Sequence, residues 1–124
     1  MLRRCLRLRV SPDVPGIFHV ALRDDWDAAR AAGRYEVSSR GRTLADEGFV
    51  HASTHEQLPD TLERYYGDLD PASLVILELD ADALAAAGSP VRYEHVAGAR
   101  APFPHVYGPI PTATVIDVHP VTQP

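Results

Sequence analysis

Cysteine is almost absent from this chain: Cys5 is the single one in 124 residues, which excludes a disulfide framework and any cysteine-based zinc cluster. Lysine is missing altogether, since all twelve basic residues are arginine. No lysine Schiff base, lysine general base or lysine phosphate anchor is therefore available. Long apolar runs are missing as well. The opening MLRRCLRLRV alternates Arg with apolar residues and lacks the h-region of a signal peptide. These absences lead us to expect a soluble, cytoplasmic protein with no membrane partner. Positive charge is also in the minority, with 12 Lys+Arg against 17 Asp+Glu for a net charge of −5. That balance gives no strong nucleic-acid signal, because a phosphate backbone is gripped by cationic surface. G-x-S-x-G and Gly-rich phosphate loops are absent, and no Ser-His-Asp or Cys-His set is legible.

What is present suffices for one domain. A chain of this length with 45% hydrophobic residues can bury roughly two-thirds of its unfolded surface without metal or disulfide staples. Residues 1–15 read as an Arg-rich N-terminal extension, a tail or outer strand, closed by Ser11-Pro12-Asp13-Val14-Pro15-Gly16. Residues 16–124 read as a single domain without internal repeats.

Ile17 to Leu22 (IFHVAL) reads as a strand with His19 near its middle. Asp24 or Asp25 is placed to cap a helix through Trp26, Ala28, Ala29 and Ala32 that stops at Gly33, and Thr43 to Glu47 reads as one helical turn. Gly48-Phe49-Val50-His51-Ala52-Ser53 reads as a second strand. Ser53 or Thr54 then caps a helix with Glu56 and Gln57 in its first turn, a buried stripe of Leu58, Leu62, Tyr65 and Tyr66, and an end at Gly67. Ser73 to Leu79 (SLVILEL) is the strongest strand signal, apolar enough to be buried on both faces. After an alanine-rich turn at 82–87, Val91 to Val96, His105 to Ile110 and Thr114 to His119 read as further strands. Pro102, Pro104, Pro109 and Pro111 place the His105 strand at an edge or make it irregular. The order β-α-β-α followed by strands predicts an α+β domain of about six strands and two main helices.

Six histidines are the feature most open to chemistry. In GFVHAST a strand would deliver His51 beside the N–H groups of a helix start, a place suited to an anion; the plainer reading is a strand histidine followed by capping Ser53 and Thr54. In PFPHVYGP the prolines fix the approach of His105, and alternation puts Tyr107 on the same face; the plainer reading is a rigid edge packed by Phe103 and Tyr107. His19 alone would pass for a satisfied core residue. Together, three strands each present one imidazole near the sheet centre. His55 flanks the group, and His95 and His119 read as surface residues. Glu94 and Glu78 sit on strands that lead toward a cleft, and a buried Glu78 needs Arg92, Arg64 or a His as partner. A three-histidine metal centre is an alternative that spacing cannot test, because H-E-x-x-H is absent; no metal ligand is assigned.

IFHVA, DDWDAARAAGRY, GFVHAST, LVILELD, VRYEHV and FPHVYGPIP, in this order over residues 16 to 118, resemble the small bacterial proteins called domain of unknown function 952. The resemblance implies a fold similar to the ADP-ribosyltransferases, a split α+β sheet whose cleft binds NAD. It implies that His19 hydrogen-bonds the adenosine ribose side of NAD, and that His51 occupies the position that stacks on nicotinamide. His105 falls near the expected glutamate, and Glu94 on the neighbouring strand is the reserve carboxylate. The expected catalytic set is thus His19, His51, His105 and Glu94, and the expected NAD-binding set is His19, His51, Ser53, Thr54 and Tyr107. A histidine in the glutamate's place leaves three functions open: ADP-ribosyl transfer, transfer to phosphate as in the RNA 2′-phosphotransferase branch, or binding alone. The partner expected in every case is a small nucleotide-like molecule or another anionic metabolite. The sequence leaves the oligomeric state open.

Overall fold

The computed structural model describes residues 16–121, so the Arg-rich extension expected at residues 1–15 lies outside the described residues. Ile17–Leu22 (β1) runs directly into Arg23–Ala32 (α1). The short strands Arg34–Tyr35 (β2), Val37–Ser39 (β3) and Arg42–Thr43 (β4) precede the one-turn helix Leu44–Glu47 (α2). Val50–His51 (β5) and Ser53–Thr54 (β6) lead to Leu58–Tyr66 (α3), and Leu74–Leu79 (β7) to Ala81–Ala86 (α4). Val91–Glu94 (β8), Phe103–Val106 (β9), Ile110–Pro111 (β10) and Val115–Pro120 (β11) complete the order. The class is α+β as expected. The strands form a sheet β11-β7-β1-β6, a sheet β5-β9-β8, and the pairs β10-β2 and β3-β4. Every pairing is antiparallel.

β7 is buried at all six positions and pairs along its whole length with β1, as its apolar run predicts. Alternation along these strands divides the core in two. On one face Ile17, Ala21, Leu77 and Leu79 meet Trp26, Tyr35, Val106 and Ile110; on the other Phe18, Val20 and Ile76 meet Leu58, Leu62 and Tyr66 of α3. Burying each of these leucines contributes about 2 kcal/mol.

Several expectations are corrected. α1 starts at Arg23, before the aspartates, and has no side-chain cap; Asp24 and Asp25 instead favour its first turn electrostatically. Gly33 does end it, in the left-handed conformation at φ 88°. α3 begins at Leu58, not after Ser53 or Thr54. Thr54 and Gln57 close a turn of their own, the Thr54 N–H donating to Gln57 Oε1 at 3.0 Å and the Gln57 N–H to Thr54 Oγ1 at 3.2 Å. The strand expected over 48–53 is divided at Ala52, with Val50 and His51 pairing to Val106 and His105, and Ser53 and Thr54 pairing to Phe18 and Ile17. This short segment therefore bridges the two larger sheets. The His105 strand is not at an edge, since β9 lies between β5 and β8, but it is irregular as expected: it stops at Val106 and does not run on to Ile110, the path turning at Gly108, whose φ of 153° few side-chain-bearing residues adopt. Pro104 is tolerated there, opposite Tyr93, with its carbonyl accepting the Ala52 N–H at 3.0 Å. Among the described residues no helix is long and apolar enough to cross a membrane.

Candidate functional site

The central position of β1 buries His19 to 2% exposure. Its Nδ1 lies 2.5 Å from the His51 carbonyl oxygen, and its Nε2 lies 2.8 Å from the Tyr35 hydroxyl. A carbonyl only accepts, so Nδ1 carries the proton and Nε2 accepts from Tyr35. Burial lowers the His19 pKa to about 4, partly offset by the bond to the His51 carbonyl, with His51's own charge lowering it further. Burial also drives the Tyr35 phenol upward. His19 is thus a neutral imidazole with both nitrogens taken.

His51 lies half-buried on β5, with its Nε2 at 3.4 Å from Glu47 Oε1. Desolvation lowers its pKa, opposed by the bond to Glu47. The register of β9 sets His105 directly opposite His51 on one side and Arg92 on the other. The rings of His51 and His105 meet edge to face at 5.3 Å, and Phe49 stacks on His105 at 4.1 Å and 19°. Nδ1 of His105 lies 2.7 Å from Glu94 Oε1, and the Tyr107 hydroxyl donates to the same oxygen at 2.5 Å. These bonds, Tyr107's first, hold the Glu94 carboxyl below the usual carboxylate range. The bond to Glu94, with burial and the carboxylate's charge, pushes the Tyr107 phenol upward. The guanidinium of Arg92 lies 5.0 Å over the Tyr107 ring. The other nitrogen of His105, Nε2, is buried without a hydrogen-bond partner.

The three imidazoles line one cavity of about 360 Å³. Phe18, Phe103, Tyr65 and Tyr66 give it aromatic walls, and Ser53, Thr61 and Arg40 supply polar groups. Arg40 is held by a two-pronged contact with Asp68 at 2.7 and 2.8 Å and by the Tyr65 carbonyl at 3.1 Å. Of the residues expected to bind a nucleotide, His19, His51 and Ser53 border the cavity, while Thr54 and Tyr107 do not. Glu94 does not border it either and stands behind His105. Ser53 pairs its hydroxyl with Thr61 at 3.0 Å instead of capping a helix. Since α3 starts at Leu58, the helix N-terminus expected beside His51 is not formed there. Arg40, Thr61 and Tyr65 were not legible as site residues, since none lies on a histidine strand or carries a local signal; Phe103, two residues before His105 on β9, could have been found by the same alternation that pointed to Tyr107.

Two histidines expected at the surface separate here. His95 is exposed, whereas His119 is 4% exposed, with Nε2 at 2.7 Å from Glu78 Oε1. His119 is thus the partner that buried Glu78 needed. Asp117 joins them, opposite Glu78 across the ladder, with ligand atoms of all three within 4.8 Å; none borders the cavity. Alternation along β11 could have signalled this group, because Asp117 and His119 are two apart. The three-histidine metal alternative meets an obstacle at His19, whose two nitrogens are both engaged.

The family model described as "Protein of unknown function (DUF952)" matches residues 20–118. Among solved structures, the chain is similar to the X-ray crystal structure of protein CC0527 from Caulobacter crescentus, with 33% identity and a TM-score of 0.69 over 85% of this chain and 84% of that one. A double mutant of CC0527 gives 32% identity and a TM-score of 0.69, over 85% of this chain and 84% of that one. The solution NMR structure of CC0527 gives 31% and 0.66, over 86% and 84%. No curated protein matches.

Proposed function

Because the chain belongs to the DUF952 family of proteins of unknown function, we propose from its own cavity that it recognises NAD or ADP-ribose, within an ADP-ribosyltransferase-like fold. One observation carries this reading: three imidazoles from three strands and four aromatic side chains surround a single space of about 360 Å³, within the range of small-molecule sites. Flat walls suit the nicotinamide ring and its ribose, and the Ser53 and Thr61 hydroxyls suit sugar oxygens. In a chain without lysine, a pyrophosphate at this cavity would meet the guanidinium of Arg40, sharing it with or drawing it from the Asp68 carboxylate that holds it. His51 is the half-buried imidazole that can face the ligand. His19 organises the wall, since a ribose bond at its ring would displace Tyr35 or the His51 carbonyl. Glu94 acts through His105 instead of touching the ligand.

Calorimetric titration with NAD and with ADP-ribose tests the reading. Binding is expected in the micromolar to millimolar range and should weaken at least tenfold in His51→Ala; no binding at millimolar NAD sinks it. A second reading, a non-catalytic module for another anionic metabolite, draws on the Arg40 guanidinium at the cavity. It predicts binding without nicotinamide release under any condition.

A further inference from the structure

His105 differs from the other well-buried histidines in how its nitrogens are used. His19 satisfies both through protein groups, and His119 spends its Nε2 on Glu78. His105 fixes Nδ1 on Glu94, and its Nε2 is the one buried side-chain polar atom, among the described residues, without a hydrogen-bond partner. Buried polar atoms are almost always paired, so an exception needs a reason.

The protonation state follows from the partners. Glu94 receives the Tyr107 hydroxyl and His105 Nδ1 on the same oxygen, and an ionised carboxylate only accepts. Nδ1 therefore carries a proton, and Nε2 is left without a hydrogen-bond partner among the described residues. The groups that face this ring are Glu94 and Tyr107 at Nδ1, Arg92 above Tyr107, Phe49 on the ring face, and His51 across the ladder with Glu47 behind it. Stacking on Phe49 and the bond to Glu94 fix the ring's orientation before any ligand arrives. An imidazole oriented by a carboxylate at one nitrogen and left unpartnered at the other, on the wall of a cavity, shares the arrangement of a general base.

We propose that His105 is the general base of this cavity, its Nε2 removing the proton from a water molecule or small alcohol, with Glu94 and Tyr107 as positioning residues. Enclosure of Nε2 favours a small hydroxyl over a macromolecular acceptor. The step rests on the NAD reading. The hydroxyl gives its proton to Nε2 while its oxygen bonds C1′ of the nicotinamide ribose. The C1′–N bond breaks, and its electron pair returns to the pyridinium nitrogen, so nicotinamide leaves neutral. With water, NAD and water become ADP-ribose, nicotinamide and one proton, which passes from His105 to solvent.

Two measurements on the full chain test this. The first needs no ligand: long-range ¹H–¹⁵N spectra between pH 6.5 and 8 should show His105 with Nδ1 protonated and Nε2 unprotonated, a pattern that Glu94→Gln should weaken. A protonated Nε2 in the wild type overturns the proposal. The second follows nicotinamide release alongside NAD affinity. His105→Asn should lower release about 100-fold or more with NAD affinity within threefold. Glu94→Gln should lower kcat with little change in KM and move the acidic limb of the pH profile. Methanol should divide the product between ADP-ribose and its methyl glycoside, whereas ADP-ribose alone would restrict the base to water. NAD binding without release in the wild type, or release unchanged in His105→Asn, rejects the base alone. Failure of the wild type to bind NAD rejects the NAD reading instead, and the spectra still decide the state of His105.

Discussion

Mild acid should destabilise this domain through His19. In the folded protein burial holds its pKa near 4, against an ordinary value of 6.5, so the native state keeps the imidazole neutral where the unfolded chain has begun to protonate it. Above pH 6.5 both states are neutral and the contribution is fully present. As the pH falls from 6.5 toward 4 the unfolded state binds the extra proton and stability drains away; below pH 4 both states are charged and the loss levels off. A difference of about 2.5 units at 1.36 kcal/mol each makes the total roughly 3 kcal/mol, a large share of the 5–15 kcal/mol typical of a domain. His51, also shifted downward by burial, adds in the same direction. Urea unfolding followed through the single tryptophan, the buried Trp26, gives the assay, at pH steps from 7.5 to 4. The matched variant is His19→Asn, which keeps a donor for the His51 carbonyl but leaves the Tyr35 hydroxyl without its acceptor. It should start less stable at pH 7.5, and its stability should fall less steeply between pH 6.5 and 4. An acid slope as steep as the wild type's would refute the reasoning.

Three further outcomes are expected. His119→Leu leaves the buried Glu78 carboxylate without the group at 2.7 Å and should cost about 3–5 kcal/mol in urea denaturation, most of it recovered when Glu78→Leu is added. Gly108→Ala puts a Cβ against the Ser89 side chain at a φ of 153°; thermal denaturation should show a loss of about 2 kcal/mol, and an unchanged Tm would speak against this tight approach. Arg40→Ala breaks an exposed, solvent-screened pair with Asp68 and should leave the urea midpoint nearly unchanged. The same variant should weaken ADP-ribose binding about tenfold, read by calorimetry.

Elements whose signals are local were legible. The apolar run of β7, the Gly33 stop and the helical turn ending at Glu47 are each written in a few neighbouring residues, and each is found; the α3 stripe is found at Leu58, Leu62 and Tyr66, but Tyr65, expected in it, is 57% exposed. What depends on pairing was not. Thr54 and Gln57 satisfy each other, so a residue type that could cap α3 closes a separate turn. In β11 the register slips between Val115 and Asp117. Beyond that bulge Asp117 and His119 fall across from Glu78 and Ile76, so a histidine with charged neighbours becomes core.

The histidines make the same point about function. His19 and His105 each stand in an apolar strand setting, and the prolines around His105 do not tell which of the two is bonded at both nitrogens. They differ in what their second nitrogen meets, and those partners lie far off in sequence: His51 and Tyr35, 32 and 16 residues from His19, and Glu94, 11 residues from His105. Tyr35 closes the circuit at His19 and makes it structural. At His105 the circuit stays open, because Glu94 and Tyr107 both come to the Nδ1 side and the stacked Phe49 offers Nε2 no donor. Strand pattern can therefore place an imidazole at a cavity wall, but whether it holds the fold or does chemistry is decided by the last hydrogen bond, which only the folded chain makes.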